Sequence, residues 1–237
     1  MATFALQITL SSMLSPTTYH FLADLSRHND RDWFNAHRAD YEAARDDVAS
    51  FADTLLERLR TTDVISTENG KKALYRIYRD VRFSKDKRPY KTHFAGTFTR
   101  DGRQRRGGYY FSLGPGNTFV GGGFYGMERD DLRRVREELG ADAGEMRAIT
   151  GAASFTRLYG GLRGEQLKTA PQGFPRDHPN IDLLRYKQFY AVRQFTDAEA
   201  LAPDFVDRAE EALLGLRPFF DYFSDVLTTD ANGESIL

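Results

Sequence analysis

The sequence contains no cysteine and no long apolar run. Without cysteine the chain cannot form a disulfide, a thiolate metal site or an Fe–S cluster, and it has no thiol nucleophile. A protein without disulfides suits a reducing compartment, so we expect a cytoplasmic location. Because no stretch approaches the roughly 18–20 apolar residues of a membrane-spanning helix, we expect no membrane partner.

Motifs for metals and cofactors are also lacking. The five histidines show no metal-ligand spacing, and the HExxH pattern is absent. Gly121-Gly122-Gly123 runs from a predicted strand toward a predicted helix, but it matches neither GxxxxGK[ST] nor GxGxxG. We interpret these glycines as permitting a bulge or the close approach of another segment. We therefore expect no metal and no cofactor.

The composition is that of a folded chain. Of its 237 residues, 41% are hydrophobic and 13% are aromatic, which is enough to build a core. We find no repeat, low-complexity tract or clear linker. We expect a single α+β domain over residues 15–227, with an N-terminal tail over 1–14 and a C-terminal tail over 228–237. The first 14 residues lack the Lys/Arg start of a signal peptide.

The periodicity of apolar residues predicts helices at both ends of the chain and strands between them. A helix opens at Pro16, and a second one, capped by Asp30, runs to Leu59. Further helices are predicted over Glu128 to Leu139, around Met146 and Ile149, and in two pieces over Asp204 to Leu227, whereas 151–180 is predicted to be irregular. The predicted strands are Leu74 to Phe83, Phe94 to Thr99, Tyr109 to Leu113, Thr118 to Tyr125 and Gln188 to Phe195. The fold class is therefore α+β, with a mostly antiparallel sheet of about five strands packed against N-terminal and C-terminal helices.

Positive charge is concentrated in one part of the chain. The segment from Lys71 to Arg106 has 13 Lys and Arg against 3 Asp, a net charge of +10, whereas the whole chain nets −1. Such segregation indicates a site that recognises anions or a network of internal ion pairs.

Four stretches of the sequence together resemble one known family. The most specific is Arg79-Asp80-Val81-Arg82-Phe83-Ser84-Lys85-Asp86-Lys87-Arg88-Pro89-Tyr90-Lys91-Thr92. The others are Asn29 to Phe34 with Tyr41-Glu42, Gly121 to Tyr125, and Leu167 to Pro179. In order and spacing they resemble the bacterial and fungal family named domain of unknown function 2461, over about residues 15–227. This chain has His28 where the family places Asn. The resemblance implies a compact α+β fold and no established activity.

The basic segment supplies the candidate ligand-binding residues. Arginine and lysine suit phosphate or carboxylate oxygens, and tyrosine or histidine adds hydrogen bonding or stacking. Lys168 and His178, in the irregular stretch, could converge on the same pocket, or His178 could instead cap a helix near Asn180. The ligand-binding residues predicted within the segment are Arg79, Arg82, Lys85, Lys87, Tyr90, Lys91 and His93.

The two acids of the segment have a different predicted role. A carboxylate among so many cations has a lowered pKa, so it is a poor base near neutrality. We therefore interpret Asp80 and Asp86 as organisers of the neighbouring cations, and we assign no catalytic residue. Whether the protein is an enzyme stays open, and so does its oligomeric state.

We expect the protein to bind a small phosphorylated or carboxylated ligand through the basic segment. Two alternatives stay open. The tyrosines near the segment would also allow stacking on single-stranded nucleic acid, although no recognition motif is present. The segment could instead be an internal salt-bridge network in a structural or interaction protein.

Overall fold

The structure, a computed structural model, describes residues 13–230 and 232–237. The predicted N-terminal tail therefore lies outside the described residues, apart from its last two. The helices of the described part are α1 Pro16–Arg27, α2 Arg31–Ala36, α3 Arg38–Leu59, α4 Gly70–Ala73, α5 Arg129–Ala141, α6 Gly144–Gly151, α7 Ala153–Tyr159, α8 Ile181–Leu184, α9 Asp197–Ala200, α10 Phe205–Leu214 and α11 Arg217–Thr228. The strands are β1 Phe94–Thr99, β2 Gly108–Leu113, β3 Thr118–Phe124 and β4 Phe189–Phe195.

The four strands form one antiparallel sheet in the order β1-β2-β3-β4, which confirms the α+β class. Each strand pairs with the next strand in sequence, so the sheet is a meander. The predicted turn between β2 and β3 closes through a hydrogen bond of 2.9 Å from the Asn117 amide to the Gly114 carbonyl. None of the helices in the described ranges is long and apolar enough to cross a bilayer.

The prediction of a strand from Leu74 to Phe83 is wrong. This segment forms isolated antiparallel bridges, in which Leu74 pairs with Gly96 and Tyr78 pairs with Tyr90. Between the two bridges the register slips by two residues, so a continuous ladder cannot form. The side chain of Phe83, predicted on the apolar face of the strand, is 96% exposed.

The helix predictions hold, except that one predicted helix is broken and the short helices α4 and α7 are not among those predicted. Asp30 caps α2 as predicted, because its side chain accepts a hydrogen bond of 2.9 Å from the Trp33 amide. The long helix predicted from there is broken at His37, which separates α2 from α3. The stretch predicted to be irregular contains the additional helix α7.

The described chain divides into two compact units, and the prediction of a single domain stays a prediction. Unit 1 holds the described residues within 13–98, 110–120 and 194–211. In this unit α1 and α4 pack against α3. Its core contains stacked phenylalanines, such as Phe51 and Phe205, whose ring centres lie 5.2 Å apart.

Unit 2 holds the described residues within 99–109, 121–193 and 212–237. Helix α11 packs against α5 and α6, and its Phe223 lies 4.4 Å from Phe124, measured between ring centres. A Cβ atom added to Gly121 would lie 2.3 Å from the carbonyl oxygen of Ala191. This geometry supports the interpretation that the glycine triplet permits the close approach of another strand.

Candidate functional site

The most basic part of unit 1 is a loop over residues 76–91, which we call the basic loop. It holds seven Lys and Arg against two Asp, a net charge of +5. Its two arms are joined by hydrogen bonds of 2.8 Å from the Arg79 amide to the Pro89 carbonyl and from the Lys91 amide to the Ile77 carbonyl. The loop therefore has a defined backbone at its base.

Asn29 fixes one arm of the basic loop to the start of α2. Its carboxamide donates a hydrogen bond to the Tyr90 carbonyl and accepts one from the Tyr90 amide, both at 3.0 Å. The Tyr90 ring stacks on Phe34 with 4.0 Å between ring centres, and Tyr90 is only 4% exposed. The Tyr90 ring therefore belongs to the packing beneath the loop, and its role in ligand binding stays a prediction.

Asp86 holds two arginines of the basic loop. Its carboxylate accepts hydrogen bonds from the Arg88 amide at 3.0 Å and from the Arg88 Nη2 at 2.8 Å, and it also accepts one from the Arg79 Nη1 at 2.8 Å. Hydrogen bonds from Arg88 and then Arg79 lower the pKa of the Asp86 carboxyl well below its ordinary range. Asp86 is therefore an anion at neutral pH, and it neutralises part of the charge of these two guanidinium groups.

Asp80 holds the Arg82 side chain by hydrogen bonds in the same way. It accepts hydrogen bonds from the backbone amide, Nε and Nη2 of Arg82, at 3.2, 3.0 and 2.7 Å. These bonds lower the pKa of Asp80. The Arg82 side chain is nevertheless 77% exposed, so the guanidinium group faces solvent.

The lysines of the basic loop have different surroundings. Lys87 donates a hydrogen bond of 3.0 Å from Nζ to the Val81 carbonyl, so it supports the loop backbone. Lys85 is exposed, and it forms no ion pair or hydrogen bond with any residue in the described ranges. Of these two lysines, Lys85 therefore has the side chain that is free to contact a ligand.

Arg76 and Lys91 are neighbouring cations at the base of the loop. The Lys91 Nζ donates a hydrogen bond of 2.9 Å to the Arg76 carbonyl and lies 5.7 Å from the centre of the Tyr75 ring. Burial and then the positive charge of Arg76 lower the pKa of Lys91. Burial and then the charge of Lys91 lower the pKa of His93. Neither Arg76 nor Lys91 forms an ion pair with a carboxylate of the described part of the chain.

The sequence did not single out Arg76 as a ligand-binding residue. Regular alternation placed it on the charged face of a predicted strand, together with Tyr78 and Asp80. Arg76 belongs to the candidate site because the pairing of the two arms of the loop brings it next to Lys91. Pairing across an irregular loop leaves no periodic signal in the sequence, so only the sign of its charge could have suggested a role.

The remaining predicted residues belong to unit 2. Lys168 is exposed, and the His178 Nδ1 accepts a hydrogen bond of 3.1 Å from the Asn180 amide, just before α8. Because Asn180 lies before the first residue of α8, the capping role of His178 stays a prediction. The convergence of Lys168 and His178 with the basic loop stays a prediction.

Two arginines of the basic segment from Lys71 to Arg106 form ion pairs within unit 2. The Arg100 side chain is 1% exposed and forms an ion pair of 2.8 Å with Asp221. Arg106 forms an ion pair with Asp131. The charges of these two arginines are therefore neutralised by aspartates of the fold. We accordingly restrict the candidate site to the basic loop.

The comparisons with known proteins give one match. The model of the family described as "Conserved hypothetical protein (DUF2461)" matches residues 17–222, which is most of the chain. The chain belongs to this family. The DUF2461 match includes the basic loop, the Asn29 contact and the glycine triplet, and the family description states no activity. The comparison with curated proteins gives no match, and neither does the comparison with solved structures. No group of His, Asp and Glu in the described residues could hold a metal ion.

Proposed function

We propose that the protein binds a small anion, carrying phosphate or carboxylate, at the basic loop. The observation that carries this proposal is the pair of cations at the base of the loop. Burial and then the charge of Arg76 lower the pKa of Lys91, so the two cations repel each other. Neither forms an ion pair in the described ranges, and Arg76 also helps Arg82 to lower the pKa of Asp80. An anion bound between them would remove this repulsion and form charge-assisted hydrogen bonds.

The rest of the loop supports the proposal. Arg82 and Lys85 are exposed and add positive charge near the site, while Asp80 and Asp86 limit the conformations of Arg82, Arg79 and Arg88. A cation held in place by a carboxylate loses less side-chain entropy when a ligand binds. The closed backbone of the loop base has the same effect.

Calorimetry and thermal denaturation with inorganic phosphate and with citrate would test the proposal. We expect saturable binding and a higher melting temperature at low salt, and both effects should weaken as salt is added. Arg76→Ala should weaken phosphate binding at least tenfold. Lys91→Ala should do the same, although it also removes a hydrogen bond to the loop backbone.

Lys72→Ala is the matched control, because Lys72 is an exposed lysine on α4 outside the basic loop. It should bind phosphate like the unmodified protein. If neither phosphate nor citrate binds at low salt, or if Arg76→Ala and Lys72→Ala behave alike, the proposal is wrong.

A second candidate, binding of single-stranded nucleic acid, is favoured by the exposed aromatics of the loop. Phe83 is 96% exposed, with the Arg82 guanidinium 5.9 Å from its ring centre, and Tyr78 is 48% exposed. Aromatic rings next to cations form stacking surfaces for unpaired bases, worth about 1–3 kcal/mol per base.

Gel shifts with oligothymidylate over a series of salt concentrations separate the two candidates. For nucleic-acid binding, affinity should fall steeply with salt, and Phe83→Ala should weaken the shift while phosphate binding stays unchanged. If oligothymidylate does not bind at low salt, this second candidate is excluded and the small anion is retained.

A further inference from the structure

Unit 1 contains a cavity whose lining residues all lie outside the basic loop. It has a volume of about 390 Å³ and lies between α1, α2 and the first turns of α3. Ligand pockets in proteins occupy about 300–1,000 Å³, so its size is at the lower end of that range. At ~30 Å³ per water molecule, it could hold about a dozen waters or a compact organic molecule.

One wall of the cavity is aromatic and rigid. Trp33 is stacked on His37, with 4.0 Å between ring centres and 15° between the ring planes. Phe21 lies against the other rings, with its centre 6.1 Å from that of Trp33. The Asp30 cap holds the backbone of Trp33 and the His37 ring stacks on its side chain, so the wall exists before any ligand binds.

The polar groups of the cavity include several hydrogen-bond acceptors. The His37 Nδ1 lies 2.8 Å from the Trp33 carbonyl oxygen. A carbonyl can only accept, so Nδ1 carries the hydrogen of this bond. Asp24 and Asp40 line the same cavity with carboxylates, of which Asp24 also pairs with Arg27 at 2.9 Å.

The charged residues that line the cavity indicate the sign of the charge that its ligand carries. None of the described residues that line the cavity is a lysine or an arginine. Asp40 has no ion-pair or hydrogen-bond partner through its carboxylate in the described ranges. An aromatic wall beside a free carboxylate suits an organic ammonium group, since the carboxylate attracts its charge and the rings contact its carbon atoms.

We propose that this cavity binds a small organic amine in its ammonium form. Asp40 binds the ammonium group, and Trp33 and Phe21 contact the carbon skeleton. This proposal uses none of the residues of the basic loop, so it stands or falls independently of the proposed anion binding.

Trp33 provides a direct readout, because it is the only tryptophan in the chain. The probes are phenethylamine and phenylacetate, which share a phenyl ring and a short linker but carry opposite charges. We expect phenethylamine to change the Trp33 fluorescence in a saturable way and to give the same Kd by calorimetry. Phenylacetate should bind at least tenfold more weakly.

Three variants test the location of the site. Asp40→Asn should weaken phenethylamine binding at least tenfold, and Ala43→Leu, on an exposed residue of the lining, should block the cavity. Asp32→Asn, on an exposed acid of α2 outside the lining, is the matched control and should bind normally. Phosphate binding should be the same in all three.

The proposal is overturned if phenethylamine leaves both fluorescence and calorimetry unchanged, or if phenylacetate binds equally well. It is also overturned if Asp40→Asn and Ala43→Leu bind phenethylamine as tightly as Asp32→Asn does. Circular dichroism of each variant will show that it is folded. If one variant does not fold, the other and the comparison of the two probes still decide.

Discussion

The Asn29 side chain pairs with both backbone groups of Tyr90, with a hydrogen bond of 3.0 Å in each direction. Because a carboxamide can donate and accept at the same time, the Asn29 side chain forms the two hydrogen bonds that a neighbouring strand would form. The two bonds satisfy the backbone amide and carbonyl of Tyr90, whose ring is buried. The position of the basic loop therefore depends on the Asn29 side chain as well as on the stacking of Tyr90 against Phe34.

We expect Asn29→Ala to destabilise the protein by about 1–3 kcal/mol, because two partly buried hydrogen bonds are lost. The loss should also speed amide exchange at Tyr90 and Lys91. Urea denaturation and hydrogen exchange would measure the two effects. Asn35→Ala, at an exposed position of α2, is the control and should change stability little. Equal stability of the two variants would contradict the role of Asn29.

Asp86 should make stability depend on acid pH. Its pKa in the folded protein is depressed below the ordinary 3.8, so its contribution is present above that value and is lost as pH falls toward the folded pKa. In Asp86→Asn this contribution is absent at every pH. The variant should therefore be less stable at neutral pH, and its stability should fall less from about pH 5 downward.

Urea denaturation at several acidic pH values would measure this difference. Asp101→Asn is a suitable control, because Asp101 is exposed and lies outside the basic loop. If Asp86→Asn and the unmodified protein lose stability in parallel as pH falls, the ion pairs of Asp86 contribute nothing measurable.

Tyr19 should make stability depend on alkaline pH. Burial raises its pKa to about 12, and its hydroxyl lies 2.5 Å from the Thr118 Oγ1. Because the folded pKa is raised, the contribution of Tyr19 is complete below its ordinary value of 10.0 and is lost as pH rises toward 12. Tyr19→Phe should cost about 1 kcal/mol at neutral pH and should reduce this alkaline loss.

Tyr222→Phe is the matched comparison. The Tyr222 hydroxyl is buried and has no hydrogen-bond partner among the described residues. Removing a buried polar group without a partner is expected to be neutral or stabilising. Chemical denaturation at neutral pH would compare the two variants, and a greater loss for Tyr222→Phe than for Tyr19→Phe would contradict the geometry of both sites.

Gly121→Ala should destabilise the protein by about 1–3 kcal/mol, because overpacking against a backbone atom forces the strands apart. The added Cβ would lie 2.3 Å from the Ala191 carbonyl oxygen. Gly126→Ala is the control, since no atom lies within 4 Å of a Cβ added there. Thermal denaturation would compare them. Equal melting temperatures would show that the strands can separate without cost.

Local chemistry made most of the fold predictable. The caps at Asp30 and Thr196, the turn at Gly114 and the strand at Phe94 each depend on residues close in sequence. Such signals are strong because the side chain that stabilises the element lies within or beside it. The α+β class followed from these elements.

The errors have a different origin. Tyr75, Ile77 and Phe83 alternate with charged residues as a strand would, yet only Ile77 is buried. Whether an alternating segment becomes a strand depends on a partner in continuous register, and the sequence of one segment contains no such information. The break at His37 likewise arises where Trp33 stacks on its ring, a contact that the apolar periodicity did not anticipate.

The site was predicted in part for the same reason. The concentration of charge pointed to the basic loop. The distinction between Arg76, which forms no ion pair in the described ranges, and Arg79, which pairs with Asp86, depends on how the chain folds back. The cavity beside Trp33 left no signal in the sequence, because its lining residues come from three different helices.

The short segment between α1 and α2 has a consequence for communication between ligands. Asn29 holds the basic loop and Trp33 forms the cavity wall, and only three residues separate them. A compound that shifts the start of α2 would change the affinity of the loop for its anion. Thermodynamic linkage then requires the anion to change the affinity for that compound by the same factor.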